Sequence, residues 1–554
     1  MTVVLAAAVG LTAGSTAVLA SSVASPAAGV ARSLTATSTP TLSGQASSAT
    51  KGATNATAPA SARNGADDDH TTPPCGNDEL SGGDWPSYGQ NSANTRTQDQ
   101  ETTLKPTATS GLTPAWTFKL SAVGDAGQFE STPVISGGCA FVASSDGVVY
   151  AVNATTGAEV WHHALTASSP GLGGAIVGSL VISGGRVIAL VDESGNGSST
   201  GPYVAALSRS TGALLWQSAP IVETSGYYTN GSPQVFNGIV FAGYSSPEGT
   251  PTGSGGFALL DVRSGAILTV TPTVSLADQK LGYAGGGIWS TPAFDPETGY
   301  AYVGAGNPDS KALEDPHTNA ILKVDLNRHR RTFGQIVASY KGNVDQYTQA
   351  LQQLSQTPAC SVSTAAPDPL DDPVCGQLDL DFGAAPNLFH VNGHLVVGDL
   401  QKSGVYHVAD ATAMSPVWST VVGATCQACN AASAAVADGA VFGESTPGGL
   451  AYALGQGGGS VNWAMPVGDG VHYESTSVAN GVVYTFDTTG FLDAFDAASG
   501  ALIMRRPMSA DVSAPAVSFT SGGIAIAYHT VFVAASEGGP ASGTPQDGYL
   551  IAYR

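Results

Sequence analysis

The sequence predicts an all-β fold made of repeated four-stranded units, and both its composition and its periodicity indicate this. Charged residues make up only 11% of the 554 residues, whereas Gly (70) and Pro (32) are abundant. Few charged helix formers and many turn formers favour strands over helices. A unit of one glycine, alternating apolar residues and a polar turn recurs along the chain. Its copies are found at Gly147, Pro202, Gly256, Asn319, Ser403, Gly449, Gly490 and Gly548.

Each copy predicts two alternating strands around a tight turn, and two further strand-like runs lie between successive copies. Four strands per unit is the pattern of a β-propeller blade. The eighth copy, at residues 548–554, stops before its second strand. Residues 114–119 can supply the missing strand, which would close the ring and remove exposed sheet edges. The sequence therefore predicts an eight-bladed β-propeller closed by pairing of N- and C-terminal strands.

Three regions are predicted along the chain. Residues 1–30 hold an apolar run of small residues that resembles the core and cleavage site of a secretory signal. A membrane anchor is the alternative, which the short run rich in Ala, Gly and Thr disfavours. Residues 31–74 are rich in Ala, Ser and Thr and predict a disordered linker, because they offer little apolar surface to bury. Residues 75–554 predict the propeller, with a loop insert at about 340–377.

We expect an exported protein with no membrane span in the mature chain. Lys and Arg total 20 against 42 Asp and Glu, which gives a net charge of −22. Nucleic acid and anionic membrane surfaces both require a basic footprint, so neither is an expected partner. An acidic surface is compatible with cation binding or with a basic protein partner.

Six cysteines fit an oxidising compartment. Cys360 and Cys375 bracket the insert and are expected to pair, and Cys75 and Cys139 are candidate partners. The Cys426-x-x-Cys429 pair is followed by Asn, not by the His of a haem attachment motif, and no second pair lies at zinc spacing. A local disulfide is the expected state of that pair. Within the insert, residues 340–356 are expected to carry a short helix.

The stretch 285–308, GGGIWSTPAFDPETGYAYVGAGNP, offers a flat aromatic face at Trp289 and an amide at Asn307. Taken alone, these residues also fit a buried tryptophan and a turn asparagine. Polar residues lie at comparable blade positions in the loops, namely Glu130, Glu248, Asn307, Asp381 and Lys402. The oxygen-rich trio of Glu248, Asn307 and Asp381 suits a hard divalent cation such as calcium. A carboxylate beside that cation can act as a base towards an alcohol, and Lys402 can stabilise charge on a carbonyl.

The chain resembles the pyrroloquinoline-quinone (PQQ) dependent, or quinoprotein, alcohol dehydrogenases, which are eight-bladed propellers holding PQQ and calcium at the axis. The nearest branch is the polyvinyl-alcohol dehydrogenase-like proteins, and the resemblance spans roughly residues 85–554. The motifs that carry it are DWPSYGQNSANTRTQ, GGGIWSTPAFDP, GYAYVGAGN, DLDFGAAPNLF, QKSGVYHVAD and the insert with Cys360 and Cys375.

The resemblance implies a role for each site residue. Trp289 would be the platform on which the quinone stacks, and Glu248 and Asn307 would ligate calcium. Asp381 would be the catalytic base or a metal neighbour, and Lys402 would contact the quinone carbonyls. The cofactor's polar edges would be reached by Glu130 and Ser245. Gly383 leaves no extra carboxylate of the kind that lanthanide-using relatives carry.

The first hypothesis is therefore an exported PQQ- and calcium-dependent dehydrogenase that oxidises a primary, secondary or polymeric alcohol. Because no haem motif is present, an external acceptor such as a soluble cytochrome c would take the electrons. The alternative is a non-catalytic propeller that acts as a binding or assembly scaffold. A hydrolase or lyase is a weaker third hypothesis, since no nucleophile–base pair is recognisable. Trp161, Trp216 and Trp463 each end a repeat unit and are interpreted as blade-packing residues.

Overall fold

A computed structural model describes the propeller region of the chain, from Cys75 to the C-terminus, with gaps. The described residues are 75–76, 80–165, 176–192, 201–247, 253–309, 315–343, 380–423, 430–445, 449–467, 475–486, 489–514, 523–536 and 547–554. The predicted signal region and linker, Glu248, and the pairs Cys360–Cys375 and Cys426–Cys429 lie outside these residues. Those predictions stay predictions.

Eight antiparallel four-stranded sheets form the blades of the propeller, as the sequence predicts. Blades 1 to 4 consist of β2 (Val134–Ser136), β3 (Cys139–Ala143), β4 (Val148–Asn153), β5 (Glu159–Ala164); β6 (Val181–Ser183), β7 (Arg186–Val191), β8 (Tyr203–Ser208), β9 (Leu214–Gln217); β10 (Gln234–Phe236), β11 (Ile239–Tyr244), β12 (Gly256–Asp261), β13 (Ile267–Pro272); and β14 (Ala293–Asp295), β15 (Tyr300–Gly304), β16 (Ala320–Asp325), β17 (Ile336–Lys341).

The remaining blades repeat the same arrangement. Blades 5 to 8 consist of β18 (Asn387–Val391), β19 (His394–Gln401), β20 (Val405–Asp410), β21 (Pro416–Val421); β22 (Ala435–Ala437), β23 (Ala440–Ser445), β24 (Leu450–Gly455), β25 (Val461–Pro466); β26 (Ser477–Ala479), β27 (Val482–Phe486), β28 (Phe491–Asp496), β29 (Leu502–Pro507); and β30 (Ile524–Ala527), β31 (Thr530–Ser536), β32 (Gly548–Tyr553) with β1 (Pro114–Lys119). The short first strands contact one another around the axis, as β2 does with β6 and β30.

The ring closes as predicted, because β1 is the fourth strand of the last blade. It pairs antiparallel with β32, with Trp116 opposite Ala552 and Lys119 opposite Tyr549. This pairing satisfies the edge of β32 that would otherwise be open.

Helices are few and short. The described residues contain α1 (Pro106–Thr109), α2 (Leu276–Gln279), α3 (Met508–Val512) and one 3-10 turn (Leu120–Val123). None of these helices is long and apolar enough to cross a membrane. The helix expected within residues 340–356 does not include the first residues of that range, because Tyr340 and Lys341 end β17. Tyr340 pairs there with Ile321, and its hydroxyl reaches His407 Nδ1 at 3.1 Å, which holds the strand in place. Residues 344–356 lie outside the described part of the chain, and a helix there stays a prediction.

Tryptophans on the fourth strands join neighbouring blades. Each indole nitrogen donates to a backbone carbonyl of the next blade, at 2.9–3.2 Å, in the pairs Trp116–Ala154, Trp161–Arg209, Trp216–Val262, Trp418–Gln456 and Trp463–Ala497. The interpretation of Trp161, Trp216 and Trp463 as packing residues is confirmed. Each indole nitrogen replaces its hydrogen bond to water with one to a carbonyl, while the ring buries apolar area between two blades. These contacts therefore stabilise the interfaces between blades.

One segment near the N-terminus, residues 85–98, runs across the first strands of all eight blades. Its backbone or side chains bond to Ile135, Ile182, Gln234, Phe294, Leu388, Val436, Val478 and Ile526, one residue from each blade in turn. We call residues 85–98 the axial segment. Just before it, Cys75 forms the predicted disulfide with Cys139 of blade 1.

Candidate active site

A lysine–carboxylate pair on blade 5 lies against the indole of Trp289, which enters from blade 4. Lys402 Nζ donates to Asp381 Oδ2 at 2.8 Å, and Lys402 N donates to the Asp381 carbonyl at 2.9 Å. The same ammonium lies 5.1 Å from the centre of the Trp289 ring. The Lys402 and Asp381 side chains are only 9% and 6% exposed, whereas Trp289 is half-buried. The three predicted site residues are therefore in one place.

Gly383 explains how the indole comes so close to the blade 5 backbone. A Cβ at this position would lie 1.9 Å from Cη2 of Trp289, far inside van der Waals contact. No side chain can therefore occupy position 383 while the ring stays where it is. The sequence has glycine, and so no carboxylate, at position 383. The position of the Trp289 indole requires this glycine, because any side chain would collide with the ring.

Two further glycines, Gly287 and Gly306, let polar side chains approach the strand ends. The place of a Cβ at Gly287 is 2.5 Å from Ser245 Oγ, and that at Gly306 is 3.4 Å from Asp381 Oδ1. Gly306 N donates to Gly287 O at 2.8 Å, so the two glycines are neighbours. Ser245 Oγ and Asp381 Oδ1 are both buried and have no hydrogen-bond partner within the described part of the chain. Two polar atoms at this site are therefore available for a ligand.

Asn307 and Glu130 are two further predicted site residues that the structure describes. Asn307 follows Gly306 and is half-buried, with its carbonyl accepting a hydrogen bond from Gly286 N at 2.8 Å. Glu130 lines a cavity of about 340 Å³ together with Trp289 and Gly383. Burial raises the pKa of the Glu130 carboxyl. The predicted calcium ligand Glu248 lies outside the described residues.

The same cavity is also lined by Tyr88 of the axial segment. The Tyr88 hydroxyl lies 2.7 Å from Ser433 Oγ and 2.5 Å from Ser475 Oγ. Behind it is the fully buried guanidinium of Arg96, whose Cζ lies 4.8 Å from the centre of the Tyr88 ring. Burial lowers the pKa of Arg96 to about 10, so this group still carries a positive charge at neutral pH. The sequence motif around Tyr88 predicted the family resemblance, but nothing in it indicated this contact with the cavity.

Two residues that position Lys402 were missed by sequence reasoning. Asn430 is fully buried and donates from Nδ2 to the Lys402 carbonyl at 3.2 Å. Gln401 precedes the lysine, and its Oε1 accepts hydrogen bonds from Asn343 N at 3.0 Å and from Ser403 Oγ at 2.8 Å. Asn430 follows directly after Cys429. The Cys-x-x-Cys pair was the one sequence feature that drew attention to this loop.

Comparison with known proteins connects this geometry with quinoproteins. A protein-family model described as "Outer membrane protein assembly factor BamB" matches residues 106–345. A polyvinylalcohol dehydrogenase of a Pseudomonas species is 28% identical over 205 residues, 34% of this chain and 31% of that protein. A quinoprotein alcohol dehydrogenase of Pseudomonas putida is 26% identical over 230 residues, 36% of each chain. The matched segments thus span only 31% to 36% of the length of these relatives.

Solved structures show the same fold. The quinohemoprotein alcohol dehydrogenase of Comamonas testosteroni has a TM-score of 0.63 at 16% identity, covering 85% of this chain and 80% of that one. A europium-containing methanol dehydrogenase also gives 0.63, at 15% identity, covering 85% and 98% of the two chains. The resemblance to quinoprotein alcohol dehydrogenases that the sequence motifs predicted is confirmed by the two sequence relatives, and the solved structures confirm the fold.

Proposed function

We propose that this protein is a PQQ-dependent alcohol dehydrogenase. The observation that carries the proposal is the buried Lys402–Asp381 pair set against the half-exposed face of Trp289. Burying an ion pair is costly, and replacing such a pair by apolar residues is often neutral or stabilising, so a gain in stability does not by itself explain this pair. A positive charge over an aromatic face, beside a cavity, is an arrangement suited to a flat and polar ligand with carbonyl oxygens.

The residues present fit PQQ. Trp289 offers a planar surface, and Gly383 leaves the ring edge free of any side chain. Ser245 Oγ has no partner in the described structure and can bond an edge group, as the family resemblance implies. When bound, PQQ supplies the two-electron acceptor that alcohol oxidation requires.

The chain's own residues divide the remaining work. Trp289 would offer its ring face to the cofactor and exclude water from that side. Lys402 would supply a positive charge to carbonyl oxygens on which charge develops during the reaction. Asp381 Oδ2, held by Lys402 at 2.8 Å, accepts the hydroxyl proton of the alcohol. Lys402 thereby both orients the base and compensates for its buried charge.

A divalent cation such as calcium is part of the proposal. Asp381 Oδ1 faces away from the lysine towards Gly306 and has no partner within the described residues. Carboxylate and amide oxygens are the ligands calcium prefers, and Asn307 follows Gly306 directly. A carboxylate that binds a cation through one oxygen and a lysine through the other is held in a single orientation. Export from the cell, an alcohol that is primary, secondary or polymeric, and an external acceptor such as a cytochrome c complete the proposal.

The test is reconstitution of the full chain with PQQ and calcium. We expect calorimetry to detect PQQ binding, and a dye to be reduced when alcohols from a panel are added. Asp381→Ala should abolish dye reduction, and Trp289→Leu should weaken PQQ binding. Trp216→Leu is the matched control, because Trp216 lies at a seam between blades and should leave PQQ affinity unchanged. A wild-type chain that binds no PQQ would overturn the proposal.

A non-catalytic assembly scaffold is the second candidate function. The description of the family model that matches residues 106–345 favours it. Against it stand the buried polar atoms at the site, since each costs about 1–3 kcal/mol when left without a hydrogen bond. A scaffold gains nothing from that cost. The calorimetric experiment separates the two candidates, because a scaffold predicts no PQQ binding.

A further inference from the structure

We infer that Asn319, which the sequence marked only as the start of a repeat copy, binds the same cation as Asp381 and adds an amide oxygen to its ligands. The inference rests on the proposed function, because it concerns a cation at the same site. Asn319 is fully buried, and neither its Oδ1 nor its Nδ2 has a hydrogen-bond partner in the described structure. A fully buried amide with no bonds at all is rare in folded proteins.

The strand register places Asn319 opposite Gly306. Strands β15 and β16 pair antiparallel, with Gly304 opposite Ile321. The same pairing continues past the strand ends, because Asn319 N donates to Gly306 O at 2.8 Å and Ala305 N donates to Ala320 O at 2.9 Å. Asn319 is therefore the backbone neighbour of Gly306 at this end of the pair.

This end of the pair lies against the start of blade 5. A Cβ at Gly304 would lie 2.2 Å from the Phe382 carbonyl oxygen, and a Cβ at Gly306 would lie 3.4 Å from Asp381 Oδ1. Ile321, opposite Gly304, packs in one apolar cluster with Phe382. Asn319 is bonded to this same Gly306 through its backbone, so it stands at the strand end next to Asp381. Phe382 N donates to Ala305 O at 3.3 Å, which fixes blade 5 against these strand ends.

Asn319 and Asp381 both bring buried polar atoms without partners in the described residues to this strand end. Neither Asp381 Oδ1 nor the Asn319 side-chain amide has a hydrogen-bond partner there, and Gly306 supplies no side chain beside them. Direct bonding of Asn319 Nδ2 to the carboxylate is not present. A carboxylate oxygen and an amide oxygen on neighbouring stretches of backbone suit a hard cation that binds both.

The backbone at Asn319 allows a clean test. Its φ is +47°, a left-handed conformation in which Gly, Asn and Asp are the favoured residues. Asn319→Gly therefore removes the amide, and Asn319→Asp adds a negative charge, with the backbone conformation preserved in both. Asn392 has a φ of +50° and lies exposed in the turn between β18 and β19, so Asn392→Gly is the matched control.

The measurement is Tb³⁺ luminescence excited through tryptophan, on the full chain with and without PQQ, followed by displacement with Ca²⁺. We expect Asn319→Gly to weaken Ca²⁺ and Tb³⁺ binding about tenfold or more, as losing one ligand of a metal centre does. Asn319→Asp should tighten Tb³⁺ binding, because affinity follows the charge of the ligands. Asn392→Gly should leave both affinities unchanged. Melting temperatures without cation identify any variant that has lost its fold.

The outcomes separate the two proposals. Wild-type affinities in both Asn319 variants, with the wild type itself binding cations, would overturn the role of Asn319 alone. An equal loss in Asn392→Gly would also overturn it, because the effect would then not be specific to the site. A wild-type chain that binds neither ion would remove calcium from the proposed function together with this inference, while PQQ binding is decided separately by calorimetry.

Discussion

Breaking the Lys402–Asp381 pair should destabilise the protein far more than breaking a surface pair. The Nζ–Oδ2 separation is 2.8 Å and both side chains are at least nine-tenths buried. At this separation the attraction is about 6 kcal/mol for an effective dielectric constant of about 20, and desolvation of both charges offsets part of it. Removing one partner leaves the other charge buried and uncompensated, which costs about 3–5 kcal/mol. We therefore expect Lys402→Met to lower the free energy of unfolding by about 3 kcal/mol or more.

Urea unfolding of a double-mutant cycle measures this effect. In the Asp381→Asn background, Lys402→Met should cost about 1 kcal/mol or less, because no buried charge then remains uncompensated. Lys119 forms a pair with Asp547 at 3.1 Å, but its side chain is 41% exposed, so Lys119→Met is the control with an expected effect below about 1 kcal/mol. Equal effects of Lys402→Met and Lys119→Met, or no coupling to Asp381→Asn, would refute the reasoning.

Two other predictions concern the residues around this pair. Burial lowers the pKa of His407 to about 4, whereas the unfolded chain takes up that proton near pH 6.5. Between about pH 4 and 6.5 the unfolded state thus binds more protons than the folded state. Acidification from about pH 6.5 to 4 should therefore lower the free energy of unfolding by up to about 3 kcal/mol. His407→Gln should abolish this part of the pH dependence, as urea midpoints at each pH will show; an unchanged slope would contradict the burial argument. Gly383→Ala should displace Trp289, destabilise the fold by about 1–3 kcal/mol and weaken PQQ binding. Gly185→Ala, with open space around it, is its control, and equal PQQ affinity in the two variants would contradict the steric argument.

The architecture was predictable because the local periodicity of the sequence specifies each strand and turn. Alternation along each strand and the turn signals between strands repeat at every blade, and each needs only a few neighbouring residues to be recognised. The closure followed from one incomplete unit at residues 548–554 and one unassigned strand at 114–119. The helix expected within residues 340–356 does not begin at Tyr340, because a cross-strand partner and a hydrogen bond to His407 decide the conformation there.

The site was predictable only in part. Trp289, Asp381 and Lys402 stand in recognisable motifs, and the structure brings them into contact. Asn319 could not be found in this way, because its significance comes from standing opposite Gly306 across two strands. The constraint at Gly383 likewise depends on an indole that arrives from a different blade. Such properties belong to pairs of distant residues, and a single sequence does not show which pairs meet.

The axial segment has a consequence for the order in which this chain can fold. Its first partner, Ile135, lies in blade 1, but its last, Ile526, is 428 residues from Gln98. Contacts between residues so distant along the chain form late, because the entropy of closing the intervening loop is lost before the contact is gained. The segment therefore has its complete binding surface only after all eight blades exist. A chain that ends before blade 8 would lack Ile526, the residue that binds Gln98 at the end of the axial segment. The axial segment can therefore be fully bound only in the complete ring.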